Sequence, residues 1–222
     1  MAKVVDNYVL EDEIGKSQFI QMFKSKHIIT KDYTVIKVLR LEIYKRYPML
    51  QQMITEEVQA LKILDSPFII KSLRFLRTTN NMYQVYEYFP SGTLKSLLQQ
   101  KYFLEEHHAL KLFKDMVQGV RSLNDKNIIH QNLKPSNIFL RNGTAVIGDF
   151  SCCKILSSKR DQILGSNGYL TYQAPEILRN EPHDIRSDLF SLGVILYEML
   201  YGQKPYKSIN AKELLIEMHC GL

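Results

Sequence analysis

The sequence has few cysteines, and they are poorly placed for cross-linking. Three cysteines occur among 222 residues, and two of them, Cys152 and Cys153, are neighbours that cannot easily bridge each other. This excludes a framework of disulfides. It favours a reducing compartment, and we expect a cytoplasmic protein, with the nucleus as the alternative.

The sequence also lacks a hydrophobic run long enough to span a membrane. The longest apolar stretch, residues 189–200, is too short and contains Glu198, so it predicts a helix buried on nearly all sides, with Gly202 as its end. The first residues, MAKVVDNYVLEDE, turn acidic at once, and we therefore expect no secretory leader. Membrane insertion is not expected.

Basic runs and linkers are missing as well. The formal net charge is +6, but Lys and Arg are scattered, which favours a solvated basic surface over a nucleic-acid site. There are no repeats, low-complexity tracts or Gly/Ser linkers. With 45% hydrophobic and 23% charged residues, the chain has the balance of one globular domain with a sizeable core.

What is present changes character along the chain. Strand-like segments dominate residues 1–87, among them NYVLEDEI, FIQMFKSK and YTVIKVL. One helical pattern, YPMLQQMITEEVQALKIL, interrupts them. Helical patterns dominate residues 88–222, including an apolar stripe in 108–123 that contains Val117, with short strands around NIFL and TAVIGDF. Breakers at Pro90, Ser91 and Gly92 separate the two parts. The prediction is an α+β domain with a small β-rich lobe and a larger helical lobe.

Two charged residues lie on apolar faces of the predicted small lobe. Lys37, in YTVIKVL, shares a strand face with Val35 and Leu39, and Glu57 lies on the apolar stripe of the following helix. Because a lone buried charge is costly, a Lys37–Glu57 ion pair would satisfy both. The alternative is a snorkelling lysine and a glutamate at the rim.

Several short motifs follow in a fixed order. TVIK (34–37) precedes HQNLKPSN (130–137), then IGDFS (147–151), YQAPE (172–176) and SDLFSLG (187–193). This order and spacing resemble the eukaryotic protein kinase domain of Ser/Thr type, whose template is V-A-I-K, H-R-D-L-x-x-x-N, D-F-G and A-P-E. The resemblance covers nearly the whole chain and implies the two-lobed kinase fold.

The resemblance assigns roles in the transfer of a phosphoryl group from ATP. Lys37, held by Glu57, would contact the inner phosphates, and Lys134 would approach the transferred phosphate. Asn137 and Asp149 would bind Mg²⁺. Asp188 would hold the backbone of the catalytic loop, or cap its helix, or do both.

The resemblance also locates the nucleotide's adenine and phosphates. The backbone of Glu87 to Phe89 would bond the adenine edge, and Gly15 would begin the phosphate loop. That loop is eroded, because Ser17 and Ile20 stand at its other two glycine places. Three further positions around the adenine pocket carry larger residues, Met22, Val35 and Phe139. Two interpretations stay open: protein side chains partly fill the pocket, or a flexible Met22 moves aside for ATP.

The catalytic loop departs from the template at its centre. Asn132 stands where the family has the Asp that accepts the proton of the substrate hydroxyl, and an amide cannot act as this base. General base catalysis is typically worth about 10²–10⁴-fold in rate. Gln131 replaces an Arg that commonly receives a phosphate, and Ser151 replaces the Gly of D-F-G.

Three functions remain open from the sequence. The first is a pseudokinase that serves as a scaffold or regulatory module for a protein partner. The second is a weakly active or mutationally inactivated Ser/Thr kinase acting on protein substrates with ATP and Mg²⁺. The third is a non-catalytic ATP sensor. Since the chain ends soon after AKELLIEMH, the last helices of the large lobe are expected to be missing; the chain is a fragment or an incomplete gene product, or a partner covers the exposed surface.

Overall fold

The computed structural model describes residues 3–165 and 168–220. The chain divides into two compact units. Unit 1 comprises residues 1–55 and 70–88, and unit 2 comprises residues 56–69 and 89–222. Sheet dominates unit 1 and helix dominates unit 2, which confirms the α+β class predicted from the sequence.

Unit 1 is built on an antiparallel sheet. Its six strands are β1 (Lys3–Val5), β2 (Tyr8–Lys16), β3 (Ile20–His27), β4 (Tyr33–Arg40), β5 (Ser72–Arg77) and β6 (Asn81–Glu87). Their order across the sheet is β1-β2-β3-β4-β6-β5. The strands predicted from NYVLEDEI, FIQMFKSK and YTVIKVL correspond to β2, β3 and β4.

The core of unit 1 lies on one face of this sheet. Alternation along β4 directs Ile36 and Val38 into the core, and Ile36 is fully buried. The core cluster draws on β1, β2, β4 and β6; its buried members are Val5, Tyr8, Leu10, Ile36, Val38, Tyr83 and Val85. Lys37 therefore lies on the opposite face, together with Val35 and Leu39.

Two helices follow β4. Helix α2 (Pro48–Ile63) is the one predicted from the sequence, and its proline occupies the first turn, where no backbone donor is needed. A short helix, α1 (Leu41–Arg46), precedes it and was not predicted. The prediction of a single helix in this part of the chain was therefore incomplete.

Unit 2 is mainly helical. Besides the end of α2 from Glu56 onward, its described residues form α3 (Leu94–Lys101), α4 (Glu106–Asn124), α5 (Pro175–Leu178), α6 (Arg186–Tyr201) and α7 (Ala211–Cys220). Two antiparallel strand pairs join β8 (Ile138–Arg141) to β9 (Thr144–Ile147), and β7 (Ile128–Ile129) to β10 (Lys154–Ile155). Helix α4 packs on α6 and β9.

Two details of the predicted helices are corrected. Val117 belongs to the apolar pattern of α4 but lies exposed, because the buried stripe runs through Leu112, Met116 and Val120. Helix α6 is not buried on nearly all sides, since Leu189 is 52% exposed. Its predicted end is confirmed: Gly202 caps it with a φ of 70°, in the left-handed region that favours glycine. In the described ranges, 3–165 and 168–220, no helix combines the length and apolar character needed to cross a membrane.

The core of unit 1 predicts a large effect of truncating Ile36. Ile36→Ala removes buried methyl groups from a fully enclosed position, so we expect the free energy of unfolding to fall by about 2–5 kcal/mol. Ile29→Ala is the matched control, because Ile29 is 72% exposed in a turn. Urea denaturation of both variants tests this, and equal losses would contradict the assigned core.

Candidate functional site

The loop formed by residues 130–137 is anchored by one buried carboxylate. Asp188, in the first turn of α6, accepts hydrogen bonds from the backbone N–H of His130 (2.7 Å) and from that of Gln131 (2.9 Å). This confirms that Asp188 holds the loop backbone. Gln131 has a φ of 65°, a left-handed conformation that must be held by its surroundings, and the bond to Asp188 helps to hold it.

Burial and hydrogen bonding act in opposite directions on this carboxylate. Burial raises the pKa of Asp188 to about 6, while the two backbone donors favour the charged form and limit the rise. Burial also lowers the pKa of His130 to about 4, although the charge of Asp149 favours its protonation. Near neutral pH the loop is therefore held by a charged Asp188 and a neutral His130.

The His130 ring connects the loop to the segment before Asp149. Its Nε2 donates to the carbonyl of Gly148 (3.0 Å), and its Nδ1 accepts from the backbone N–H of Asn132 (3.2 Å). These two bonds require the neutral tautomer with hydrogen on Nε2, consistent with the lowered pKa. The ring also packs edge-on against Phe150.

Asn132 directs its amide toward Asp149. Its Nδ2 donates to Asp149 Oδ2 at 3.2 Å. The Ser151 hydroxyl donates to the other oxygen, Oδ1, at 2.7 Å. Asp149 itself adopts the left-handed conformation, with φ 58°. Both oxygens of this carboxylate thus accept hydrogen bonds from uncharged side chains.

Asn137 also has a structural partner within the loop. Its Nδ2 donates to the carbonyl of Asn132 at 2.8 Å, and the side chain is buried. The backbone carbonyl of Asn137 accepts from Gly148 N–H, which joins the loop to the Asp149 segment. Lys134 is half-buried, and its ammonium lies 5.2 Å from the centre of the Tyr169 ring.

The segment after Asp149 is held by neutral contacts. Gln131 Nε2 donates to the carbonyl of Cys152 at 2.6 Å, at the position where many kinases have an arginine. The sequence leaves two interpretations of Cys152 and Cys153, a reactive thiol pair or small core-facing residues; both cysteines are free and buried, which supports the second. Burial, followed by the charge of Glu57, raises the pKa of the Cys153 thiol, which disfavours a reactive thiolate. The sequence offers three serines in this loop that could be phosphorylated or simply solvated: Ser157 and Ser158 are exposed, and Ser166 lies outside the described residues.

Two predicted phosphate contacts belong to different units. Lys37, in unit 1, is half-buried and lines a shallow apolar pocket with Leu39, Ile54 and Met82. Glu57, in the unit 2 part of α2, is 2% exposed. Lys37 is thus partly shielded from solvent, and Glu57 is almost fully shielded. Their pairing stays a prediction.

The predicted phosphate loop is closed by its own hydrogen bonds. Ser17 N–H donates to the carbonyl of Ile20 (2.8 Å), and Ile20 N–H donates to the Ser17 hydroxyl (3.2 Å). The two residues that replace glycines thus bond to each other. Met22 pairs with Gly15 across β2 and β3, and a β-carbon on Gly15 would lie 2.6 Å from Met22 Cε. The Met22 side chain therefore covers the one glycine that remains.

The residues predicted to contact adenine have partners within their own units. Glu87 ends β6 and accepts the backbone N–H of Lys71 through its carboxylate. Phe89 is buried, and its ring stacks on Phe139 with centroids 4.9 Å apart. The carbonyl of Phe89 accepts a hydrogen bond from Gly92 N–H.

Magnesium would need the oxygens of Asn137 and Asp149. Oxygen is the donor that Mg²⁺ prefers, but the ion also requires negative charge directed at it. Here both Asp149 oxygens accept protein hydrogen bonds, and the adjacent side chain offers an NH₂ group in place of a second carboxylate. The arrangement does not fit a resident magnesium ion.

Several of these contacts could not be found from the sequence. The departures at Ser17, Gln131, Asn132 and Ser151 were recognised, but not the partners that these side chains bond. The signal available in the sequence was that two departures occur in the motifs of this site, Asn132 in HQNLKPSN and Ser151 two residues after Asp149 in IGDFS. It did not reveal that both donate to the same carboxylate.

Comparison with known proteins identifies the family. The model of the protein kinase domain matches residues 8–220. Together with the α+β architecture and the order of the motifs, this match shows that the chain belongs to the protein kinase domain family.

The chain is similar to several serine/threonine-protein kinases. It is 30% identical to atg1 of Dictyostelium discoideum, over 97% of this chain and 33% of that protein. It is 32% identical to kin-29 of Caenorhabditis elegans, over 94% of this chain and 25% of that protein. It is 28% identical to the SNF1-related protein kinase catalytic subunit alpha KIN12 of Arabidopsis thaliana, over 100% of this chain and 45% of that protein. The chain thus spans between a quarter and a half of the length of these relatives.

The elevated pKa of Asp188 predicts a pH-dependent effect of Asp188→Asn. Between about pH 4 and pH 6 the folded protein holds a proton on Asp188 that the unfolded chain has released, so this group's contribution to stability falls as the pH rises. Asp188→Asn lacks this titration. The free energy of unfolding of the variant minus that of wild type should therefore increase by up to about 3 kcal/mol as the pH rises across this interval.

Urea denaturation at several pH values between 4 and 6.5 measures this difference. His130 acts in the opposite direction, since its lowered pKa makes stability rise with pH, but it is present in both proteins and cancels. Asp65→Asn, at an exposed position, tests whether an Asp→Asn change as such alters the profile. A difference between Asp188→Asn and wild type that stays constant with pH would contradict the elevated pKa.

Proposed function

We propose that this domain is a pseudokinase, a protein kinase fold that serves as a scaffold or regulatory binding module for a protein partner. The observation that carries the proposal is the contact between Asn132 and Asp149, in which the amide donates at 3.2 Å. At the place of the general base there is thus a hydrogen-bond donor whose NH₂ group is already engaged.

The chemical consequence concerns the proton of the substrate hydroxyl. In working members of the family a carboxylate accepts this proton as the phosphoryl group is transferred. A neutral amide oxygen is far too weak a base to do so near neutral pH. Loss of the base alone is worth about 10²–10⁴-fold in rate.

The phosphate loop supports the same proposal independently. The Ser17 and Ile20 amides bond within their own turn, and Met22 covers Gly15. Glycine-rich loops bind phosphate through backbone N–H groups that approach it closely. A loop whose backbone N–H groups already donate to acceptors within the loop is a poor phosphate-binding site.

A weakly active kinase and an ATP sensor are the competing functions. Their support is the persistence of Lys37, Glu57, Asn137 and Asp149, together with relatives that are named serine/threonine-protein kinases. Within unit 2, however, Asn137 and Asp149 have protein partners of their own. These hydrogen bonds give both residues a structural role, which explains their presence without nucleotide binding.

The proposal predicts the outcome of restoring the base. Wild type should transfer no γ-phosphate from ATP above background, to itself or to a general acceptor such as casein. Asn132→Asp should raise the rate by about 10²–10⁴-fold over any residual wild-type rate, because it restores the carboxylate, while the closed phosphate loop keeps the absolute rate low. Transfer of radiolabelled γ-phosphate measures both rates.

Asn132→Ala is the matched control. It removes the amide without adding a base, and its rate should stay at the wild-type level. If wild type and Asn132→Ala transferred phosphate at rates typical of kinases, about 1–100 s⁻¹, the pseudokinase proposal would be wrong.

A further inference from the structure

The Asp149 carboxylate is bonded by two side chains within the same unit. Asn132 Nδ2 donates to Oδ2 at 3.2 Å, and Ser151 Oγ donates to Oδ1 at 2.7 Å. Asn132 is buried and Ser151 is half-buried, so these bonds are partly shielded from competing water. Each oxygen of the carboxylate thus has a donor supplied by the protein itself.

Both donors occur at positions where this chain departs from the family template. The template has Asp at the place of Asn132 and Gly at the place of Ser151. An ionised Asp side chain could only accept hydrogen bonds, and Gly has no side chain, so neither template residue could donate to Asp149 through a side chain. The two departures therefore add a donor on each side of one carboxylate.

The charge near Asp149 changes in the same sense. A carboxylate at the place of Asn132 would repel that of Asp149, and a divalent cation bound at Asp149 would offset the repulsion. Because Asn132 is uncharged, one of these two negative charges is absent, and its NH₂ group faces the Asp149 carboxylate. The site therefore attracts a divalent cation less strongly, and Asp149 no longer needs a cation to hold its carboxylate in place.

We propose that Asn132 and Ser151 take the place of the divalent cation at Asp149, so that this domain is stable without Mg²⁺ and any adenine nucleotide it binds is bound independently of Mg²⁺. The inference rests on the proposed pseudokinase function and specifies what its metal site has become. In this arrangement Ser151 is a positioning residue, acting through the Asp149 carboxylate.

The test compares the thermal unfolding of the full chain in four forms: wild type, Asn132→Asp, Ser151→Gly and the double variant. Each is measured with 10 mM MgCl₂ or with EDTA, with and without ADP. Wild type should melt at the same temperature with Mg²⁺ as with EDTA, whether or not ADP is present.

Variants with a restored carboxylate should respond to the metal. Asn132→Asp places a second charge beside Asp149, so it should melt below wild type in EDTA and recover with Mg²⁺. The double variant should respond most, with a rise of about 5–10 °C where Mg²⁺ is near 100 times its dissociation constant. Asn80→Asp, at an exposed position, is the matched control and should gain no Mg²⁺ response.

Each outcome decides the question. A Mg²⁺-dependent rise in wild type would overturn the inference, and so would the absence of a Mg²⁺ response in the double variant. The inference holds if ADP stabilises wild type equally in EDTA and in Mg²⁺. It also holds if ADP stabilises wild type in neither condition while the double variant gains a Mg²⁺-dependent rise in melting temperature. These readouts are separate from phosphate transfer, so a wild type that responds to Mg²⁺ but transfers no phosphate would contradict this inference alone.

Discussion

The geometry of the candidate site depends on the buried carboxylate of Asp188. It holds two consecutive backbone amides, those of His130 and Gln131, and so fixes the point at which the chain turns into the loop. A buried charge of this kind is stable only when it is well hydrogen-bonded, and here the donors are main-chain groups that a change of side chain at either position would not remove. The loop can therefore lose its chemistry without losing its shape.

The same independence of shape from chemistry is found in unit 1. The sheet is stabilised by the buried face around Ile36 and Val38, which contains none of the predicted nucleotide contacts. The turn between β2 and β3 can accordingly exchange glycines for Ser17 and Ile20 and close on itself through local hydrogen bonds. The pairing of β3 with β4, the strand that carries Lys37, runs without a register shift from Ile20 to Lys26.

The sequence predicted the fold well because the fold depends on patterns that a sequence displays directly. Alternation predicted β2, β3 and β4, helical spacing predicted α2 and α4, and Gly202 predicted the end of α6. The failures have physical reasons. Helix α1 is only six residues long and leaves too few positions for a period to appear. Leu189 is apolar yet exposed, which periodicity cannot distinguish from a buried position.

The candidate site was predictable in its residues but not in its contacts. Motif spacing identified Asn132, Asn137, Asp149 and Asp188, because spacing reflects where the chain must return to one place. Which way the amide of Asn132 points is decided by packing against a group distant in sequence, Asp149, and the hydroxyl of Ser151 is directed by the backbone conformation between it and Asp149. No local pattern encodes such a direction.

This distinction bears on how retained motif residues are interpreted. Three residues that match the template have partners inside the protein: His130 donates to Gly148, Asn137 donates to the Asn132 carbonyl, and Asp149 accepts from Asn132 and Ser151. Each bond gives the residue a structural role that needs no nucleotide. Counting retained motif residues would therefore overstate the chemistry that remains. A more discriminating criterion is whether the groups around Asp149 offer negative charge to a cation or donate hydrogen to the carboxylate, and in this domain they donate.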